Sequence, residues 1–239
     1  MSFFAKSFVA AFQLIWSLNG ELVQIVLVSL SVSSLATLAA SLFGIPAGFF
    51  LSYGNLPGKR IYITLLNTLL SLPTVVIGLF VYVFLSRQGV FGSLGLLYTQ
   101  KAMIIGQFIL ILPLITALTI AAISRVDERY RNTAKTLGAN TWQTALVVVK
   151  EGRFGIAAAV ISAFGRVISE IGISMMLGGN IKGYTRTMTT AMALEYDKGS
   201  FTLAIALGLV LMTLSFLVNI FFQLIQGKTN LNGPPLRTR

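Results

Sequence analysis

Long apolar stretches separated by shorter polar segments dominate the hydrophobic pattern of this chain. Five stretches reach the roughly 20 residues that an apolar helix needs to cross a bilayer. They lie at about 22–51, 61–85, 102–124, 154–178 and 202–226. Pro46, Pro73 and Pro113 fall inside the first three, and each proline should bend or interrupt its helix. The pattern therefore predicts an all-α membrane protein whose residues 1–239 form a single domain.

A shorter apolar segment, residues 1–20, precedes the first span. Phe4, Phe8 and Phe12 recur at helical spacing, which predicts an interfacial helix that lies along the membrane surface. A cleaved signal peptide is the alternative, but the apolar run ends at Trp16 without the small-x-small pattern of a cleavage site. We therefore expect the N-terminal helix to be retained.

The longest polar interruption, RVDERYRNTAKTLGANTWQTALVVVKEGR at 125–153, still has a helical pattern. Asp127 and Glu128 place negative charge where a helix start favours it, Gly138 is a suitable helix end, and Thr141 is a suitable cap for a second short helix. Apolar residues repeat at helical spacing on both sides of the glycine, namely at Tyr130, Ala134 and Leu137 and then at Trp142, Ala145, Leu146 and Val149. The pattern predicts two helices and leaves two roles open, namely resting on lipid headgroups and binding a soluble partner.

Composition supports a membrane protein and removes several kinds of chemistry. Only 10% of the residues are charged, against about 25% in soluble domains, and the mean hydropathy is +0.83. The sequence contains no Cys and no His. It therefore lacks the usual zinc ligands, a thiol nucleophile and the histidine of a Ser–His pair. The net charge of +11 is best explained by basic loops on the cytoplasmic side rather than by nucleic-acid binding.

The distribution of Lys and Arg predicts the orientation. The side that holds 59–60, 125–153 and 228–239 carries eleven of these residues, and the other side carries six. Because cytoplasmic loops are enriched in Lys and Arg, the first side should be cytoplasmic. The N-terminus is then outside and the C-terminus inside.

Arg166 and Glu170 are the only charged residues within the predicted spans, and they lie four residues apart on one helical face. Charged groups in a bilayer are costly and usually face the protein interior or a water-filled cavity. Three interpretations remain open: a structural salt bridge, an anion path shaped by Arg166, and a proton relay through Glu170.

Two other groups of polar residues are candidates for function. The first group consists of candidates for the translocation path and lies around Pro73, a proline that frees a backbone carbonyl. Its members are Asn67, Thr68, Ser71 and Thr74. Between the last two spans, 178–200 should contain a short helix at about 186–196 and carries the basic residues Lys182 and Arg186. That segment is either solvated surface, with Tyr184 at the interface, or the contact for an external partner.

The segment around Gly138 resembles the E-A-A-x-x-x-G motif of permease subunits of type I ABC importers. Ala134 and Gly138 match the second alanine and the glycine of the motif, while Asn132 and Thr133 replace its glutamate and first alanine. Residues 67–107 and 170–211 are similar to the tungstate-type branch of that family, close to the molybdate and sulfate permeases. The resemblance implies that a coupling segment contacts an ATP-binding subunit through Asn132, Thr133, Ala134, Leu137, Gly138, Ala139 and Asn140.

The resemblance also implies an assembly: a homodimer of this chain, two ATP-binding subunits and an extracytoplasmic substrate-binding protein, which Lys182, Tyr184 and Arg186 would contact. The complex would import an oxyanion, with tungstate first and molybdate or sulfate as alternatives, across a prokaryotic inner membrane. The chain itself would be neither an enzyme nor a cofactor-binding protein, because ATP and Mg would be bound by the ATPase subunits. The Gly227-Lys228-Thr229 sequence is no phosphate loop, since Phe222 occupies the position that such a loop needs as glycine.

Two other classes of function are less consistent with the sequence. An ion-coupled carrier that uses Glu170 would be expected to show an inverted repeat, and none is evident. An intramembrane enzyme would need acid–base or metal-binding groups, and the spans lack a second carboxylate besides Glu170.

Overall fold

The computed structural model describes residues 3–54 and 58–230, with side chains from residue 7 to residue 224 in those ranges. The side chains of Phe4, Lys6 and Lys228, and the whole of Arg237 and Arg239, lie outside this description. The helices in chain order are α1 Phe3–Trp16, α2 Gly20–Tyr53, α3 Lys59–Leu70, α4 Thr74–Leu85, α5 Gln100–Ser124, α6 Glu128–Thr136, α7 Thr141–Ile168, α8 Gly172–Gly178, α9 Met188–Asp197 and α10 Phe201–Asn230.

The predicted spans are confirmed as apolar helices, and two of them are broken. Single helices α2, α5 and α10 correspond to 22–51, 102–124 and 202–226. The second span consists of α3 and α4, which meet at an angle of 95°, and the fourth consists of α7 and α8, which meet at 60°. The described residues thus contain up to five membrane crossings.

The three prolines behave differently from one another. Pro73 breaks the second span as predicted, because it adopts an extended conformation and caps the start of α4. The predicted interruption at Pro113 is wrong, since α5 continues through this buried residue, and α2 likewise continues through Pro46. A helix in lipid has no water to satisfy its backbone, so it tolerates one lost hydrogen bond more readily than a break.

α2 and α5 form the centre of the bundle by close helix packing. A Cβ atom added at Gly48 would lie 2.7 Å from both the Thr116 carbonyl oxygen and the Thr119 Cβ. The hydroxyls of Ser29 and Thr37 donate to carbonyl oxygens four residues earlier in α2, at 3.0 and 2.7 Å. These two hydroxyls therefore satisfy backbone carbonyls within the helix.

α1 is a helix, as predicted, and packs against α10. Ala11 is fully buried in one cluster with Ala206 and Leu207, while Phe8 and Phe12 remain exposed. The placement of α1 along the membrane surface stays a prediction.

α9 confirms the short helix predicted at 186–196, but its surroundings differ from a solvated loop. Met188, Thr190 and Ala191 are at most 1% exposed, and α9 packs against α10 and α2. The solvated-surface interpretation is therefore wrong for the start of α9, because the helix folds back into the bundle instead of lying on top of it.

Candidate functional site

The segment 125–153 forms two helices around Gly138, as predicted. Asp127 caps α6 by accepting a hydrogen bond from the Arg129 N–H at 2.9 Å. Gly138 adopts a φ of +82°, which a residue with a side chain adopts only with strain. We call residues 125–153 the coupling segment.

The start of the second helix differs from the prediction in two ways. Asn140 is its cap, and Thr141 is its first helical residue. Asn140 accepts the Gln143 N–H at 2.8 Å, and the Gln143 side chain accepts the Asn140 N–H at 2.9 Å. The helix is also not short, since α7 continues for 28 residues to Ile168.

Most of the predicted apolar stripe of the coupling segment is exposed. Ala134 and Ala145 are buried, whereas the large side chains form an exposed apolar patch, consisting of Tyr130, Leu137, Trp142 and Leu146. Of the seven predicted coupling residues, Ala134 is buried and Ala139 is half-buried, while the others are exposed, namely Asn132, Thr133, Leu137, Gly138 and Asn140. The capped turn and its flanking helices thus leave both polar groups and large apolar side chains exposed.

The predicted pair in the fourth span is confirmed. Arg166 Nη1 donates to Glu170 Oε2 at 3.2 Å, with the Glu170 side chain 4% exposed and the Arg166 side chain 48% exposed. The other carboxylate oxygen of Glu170 accepts the Gly172 N–H at 3.0 Å. Glu170 therefore lies at the break between α7 and α8 and satisfies a backbone donor that the break exposes.

Contacts from distant parts of the chain hold this break, and the sequence did not reveal them. The Thr189 hydroxyl donates to the Glu170 carbonyl oxygen at 2.9 Å, and the buried Gln107 side chain donates to the Ser174 hydroxyl at 3.2 Å. The only signals in the sequence are a threonine-rich run around the start of α9 and a lone amide in the third span.

The break at Pro73 meets the break at Glu170. A Cβ atom added at Gly172 would lie 3.4 Å from Glu170 Oε1 and 3.5 Å from the Thr74 hydroxyl. The structure thus brings together Thr74, Arg166 and Glu170 from the predicted path residues. Asn67 and Thr68 lie on the exposed α3 and Ser71 directly follows it, and the hydroxyls of Thr68 and Ser71 donate to carbonyl oxygens of that helix.

A groove of about 570 Å³ runs between α5 and α7 beside the coupling segment. Its lining combines charged residues of the coupling segment, small residues and Ser162 of α7, and larger side chains such as Leu118 and Tyr130. The lining includes Arg125, Asp127, Glu151, Gly155, Ala158 and Ser162. Ser162 lies one helical turn from Arg166 on the same exposed face of α7, so the groove points toward the charged pair.

The loop at 179–187 is tied to the starts of α2 and α5. Glu21 accepts Lys182 at 2.8 Å and Arg186 at 3.5 Å, and the Gln100 side chain donates to the Tyr184 carbonyl oxygen at 2.7 Å. Lys182 and the ring of Tyr184 remain exposed, whereas the Arg186 side chain is 11% exposed. The sequence pattern contains no sign of the ion pairs with Glu21, so the sequence alone leaves Lys182 and Arg186 as unpaired cations.

Tyr98 anchors the same end of the bundle. Its N–H donates to the Leu177 carbonyl oxygen at 2.8 Å, and a Cβ added at Gly179 would lie 2.7 Å from its ring. A hydrogen bond with Tyr82 raises the pKa of Tyr98 above its ordinary value.

Comparison with known proteins places this geometry in context. Residues 40–230 match the family model described as binding-protein-dependent transport system inner membrane component. The chain is 40% identical to the tungstate uptake system permease protein TupB of Peptoclostridium acidaminophilum, over 92% of this chain and 96% of the relative. It is 31% identical to the molybdenum transport system permease protein ModB of Escherichia coli strain K12, over 71% of this chain and 77% of the relative.

The fold matches a solved chain from an inward-facing form of the MetNI methionine ABC transporter. The TM-score is 0.70 at 18% sequence identity, over 87% of this chain and 96% of the solved chain. At this identity the match concerns the fold alone.

Proposed function

The chain belongs to the family of binding-protein-dependent transport system inner membrane components, and from this premise we propose that it is the permease subunit of an ATP-driven tungstate importer. It spans the inner membrane several times and is not itself an enzyme. The basic end, where α2 ends and the coupling segment lies, faces the cytoplasm because cytoplasmic loops are enriched in Lys and Arg. The N-terminus is then outside and the C-terminus inside.

One structural observation carries the ATP-driven mechanism. α7 runs without a break from its capped start in the coupling segment to the Arg166 turn, a length of about 42 Å for its 28 residues. An ATP-binding subunit that moves the exposed apolar patch therefore also moves Arg166 and the break at Glu170. A remote binding event can bias two arrangements of the path in this way.

The proposed assembly contains two copies of this chain, two ATP-binding subunits that hold ATP and Mg, and an external binding protein. The exposure of α3 supports the second copy, because none of the described residues of this helix is buried. Its exposed Asn67 amide is unfavourable against lipid, so a water-filled path between two copies suits it better. Lys182 and Tyr184 are exposed to the binding protein, although Lys182 also bonds Glu21, while the largely buried Arg186 supports the loop through Glu21.

Tungstate is favoured over the alternatives by the degree of similarity. The tungstate permease relative is 40% identical and the molybdenum relative 31%. Molybdate and sulfate remain the alternative substrates, because these tetrahedral dianions have similar charge and shape.

An ion-coupled carrier is the runner-up. It would need Glu170 to exchange a proton with both sides of the membrane. The Glu170 carboxylate is instead buried and bonded at both oxygens, which favours a fixed role.

Reconstitution tests the proposed function. The chain is placed in proteoliposomes with the ATPase subunit and binding protein encoded beside it, and uptake of tungstate, molybdate and sulfate is measured. We expect tungstate uptake that requires ATP and the binding protein and survives collapse of the proton gradient. Uptake that needs only a proton gradient would establish the carrier instead, and preference for another oxyanion would correct the substrate.

A further inference from the structure

The Arg166 guanidinium is held at one edge only. Within the described residues its side chain makes one hydrogen bond, from Nη1 to Glu170 Oε2 at 3.2 Å. A guanidinium carries five N–H donors, and the Arg166 side chain is 48% exposed. The donors that Glu170 does not use are therefore accessible at the surface of α7.

Glu170, by contrast, is fixed from several directions. Its Oε1 accepts the Gly172 N–H at 3.0 Å, its carbonyl oxygen accepts the Thr189 hydroxyl at 2.9 Å, and its N–H donates to the Val167 carbonyl oxygen at 3.0 Å. Its side chain is 4% exposed. In the pair, the carboxylate is the stationary member and the arginine is the member that can move.

The open edge of Arg166 adjoins the route to the groove. Gly155, Ala158 and Ser162 line the groove, and they share a helical face with Arg166 because they precede it by eleven, eight and four residues. Arg125 lies at the far end of the same groove. This face of α7 thus runs from the cation in the span toward the end of the groove where Arg125 of the coupling segment lies.

We infer that Glu170 is a positioning residue that limits how tightly Arg166 holds a passing oxyanion. It occupies one edge of the guanidinium and offsets part of its charge, so the anion binds the open edge weakly and can leave along the groove. Passage requires binding that is favourable enough to enter and weak enough to leave. The identity of the anion rests on the proposed function, whereas the electrostatic arrangement does not.

A cysteine at Ser162 measures this arrangement directly. Since the chain contains no cysteine, Ser162→Cys creates a unique thiol. The full chain in complex with its ATPase subunit is treated with an anionic or a cationic methanethiosulfonate reagent, and the two labelling rates are compared. The ratio of the rates cancels the thiolate fraction and reports the local potential. Ser93→Cys, at an exposed position in the turn between α4 and α5, is the matched control.

We expect the anionic-to-cationic ratio at S162C to exceed that at S93C and to rise about threefold or more in S162C/E170Q. The substitution removes the negative charge that lies 3.2 Å from the Arg166 guanidinium, one helical turn from Ser162. S162C/E170D keeps the charge and should stay within about twofold of S162C. An unlabelled S162C, or a ratio that does not rise with E170Q, would overturn the inference. If the E170Q variant does not assemble, the labelling ratio is measured in S162C/R166Q instead. A ratio that is not lower than in S162C would then overturn the inference.

Uptake by the S162C complex separates this inference from the proposed function. Labelling that depends on Glu170 without any oxyanion uptake would contradict the proposed function alone. Oxyanion uptake together with a labelling ratio that is the same with and without the Glu170 charge would contradict the inference alone.

Discussion

The guanidinium carbon of Arg131 lies 4.6 Å from the centroid of the Tyr53 ring. This contact joins α6 of the coupling segment to the last residue of α2, and it is the geometry of a cation–π interaction. Tyr53 also stacks on Phe49, with ring centroids 5.2 Å apart. The end of the central helix therefore supports the segment that contacts the ATPase subunit in our proposal.

Tyr53→Leu should loosen α6, because it removes the ring beneath Arg131. A loss of about 1 kcal/mol corresponds to roughly fivefold more frequent local opening. Limited trypsin digestion at the basic residues of α6 would show this as about fivefold faster cleavage. Tyr53→Phe keeps the ring and should match the wild type. Arg131→Gln removes the cation and one trypsin site but keeps the Phe49 stack, so its cleavage after Arg129 and Lys135 should resemble that of Tyr53→Leu. Equal cleavage rates in all variants would show that the contact does not hold α6.

Gly138→Arg should abolish co-purification of the ATPase subunit while leaving membrane insertion intact. Among the described residues, no atom lies within 4 Å of a Cβ built at Gly138, so the first atom of the new side chain meets open space and the cost inside the chain is backbone strain at φ +82°. Gly95→Arg is the control, since Gly95 also has a positive φ of +57° and open space but lies in the loop before α5. Co-purification that is equal in both variants would contradict the docking role of the coupling segment.

Asn140→Ala should fray the start of α7. Loss of a side-chain cap costs about 1 kcal/mol, so amide hydrogen exchange in the first turn should accelerate about fivefold. Thr141→Ala leaves the Asn140–Gln143 pair in place and should change exchange little. The reverse result would restore Thr141 as the cap.

Gly48→Ala should destabilise the bundle, because the added methyl would meet a backbone oxygen and a side-chain carbon at 2.7 Å. Overpacking of this kind costs about 1–3 kcal/mol, and thermal unfolding in detergent should show a lower midpoint. At Gly208→Ala the new Cβ would lie 3.5 Å from Met192 Sδ, an ordinary contact. Alanine favours helix more than glycine does, so this second variant should unfold at an equal or higher temperature.

Local chemistry made several elements predictable. The spans follow from uninterrupted apolar runs, and the turn at Gly138 follows from a glycine between two helical patterns. Asn140 and Thr141 are adjacent and both suited to capping, so the choice between them depended on the reciprocal bond with Gln143.

Other features depend on tertiary contacts that local patterns do not contain. No proline stands at the break at Glu170, the nearby Gly172 does not by itself specify a break, and one bond that holds it comes from Thr189, 19 residues later. Pro113 lies inside an unbroken helix because its neighbours in the bundle, not its own preference, determine the backbone there. The burial of α9 depends in the same way on how the chain folds back against α10.

The length of α2 makes the protein sensitive to bilayer thickness. Its 34 residues extend about 51 Å, while a bilayer has a hydrocarbon core of about 30 Å. The helix must therefore tilt or extend beyond the acyl chains. Because α5 packs along α2, a change in tilt would be shared by the centre of the bundle, and lipid acyl-chain length becomes a physical variable that sets the resting shape of the path.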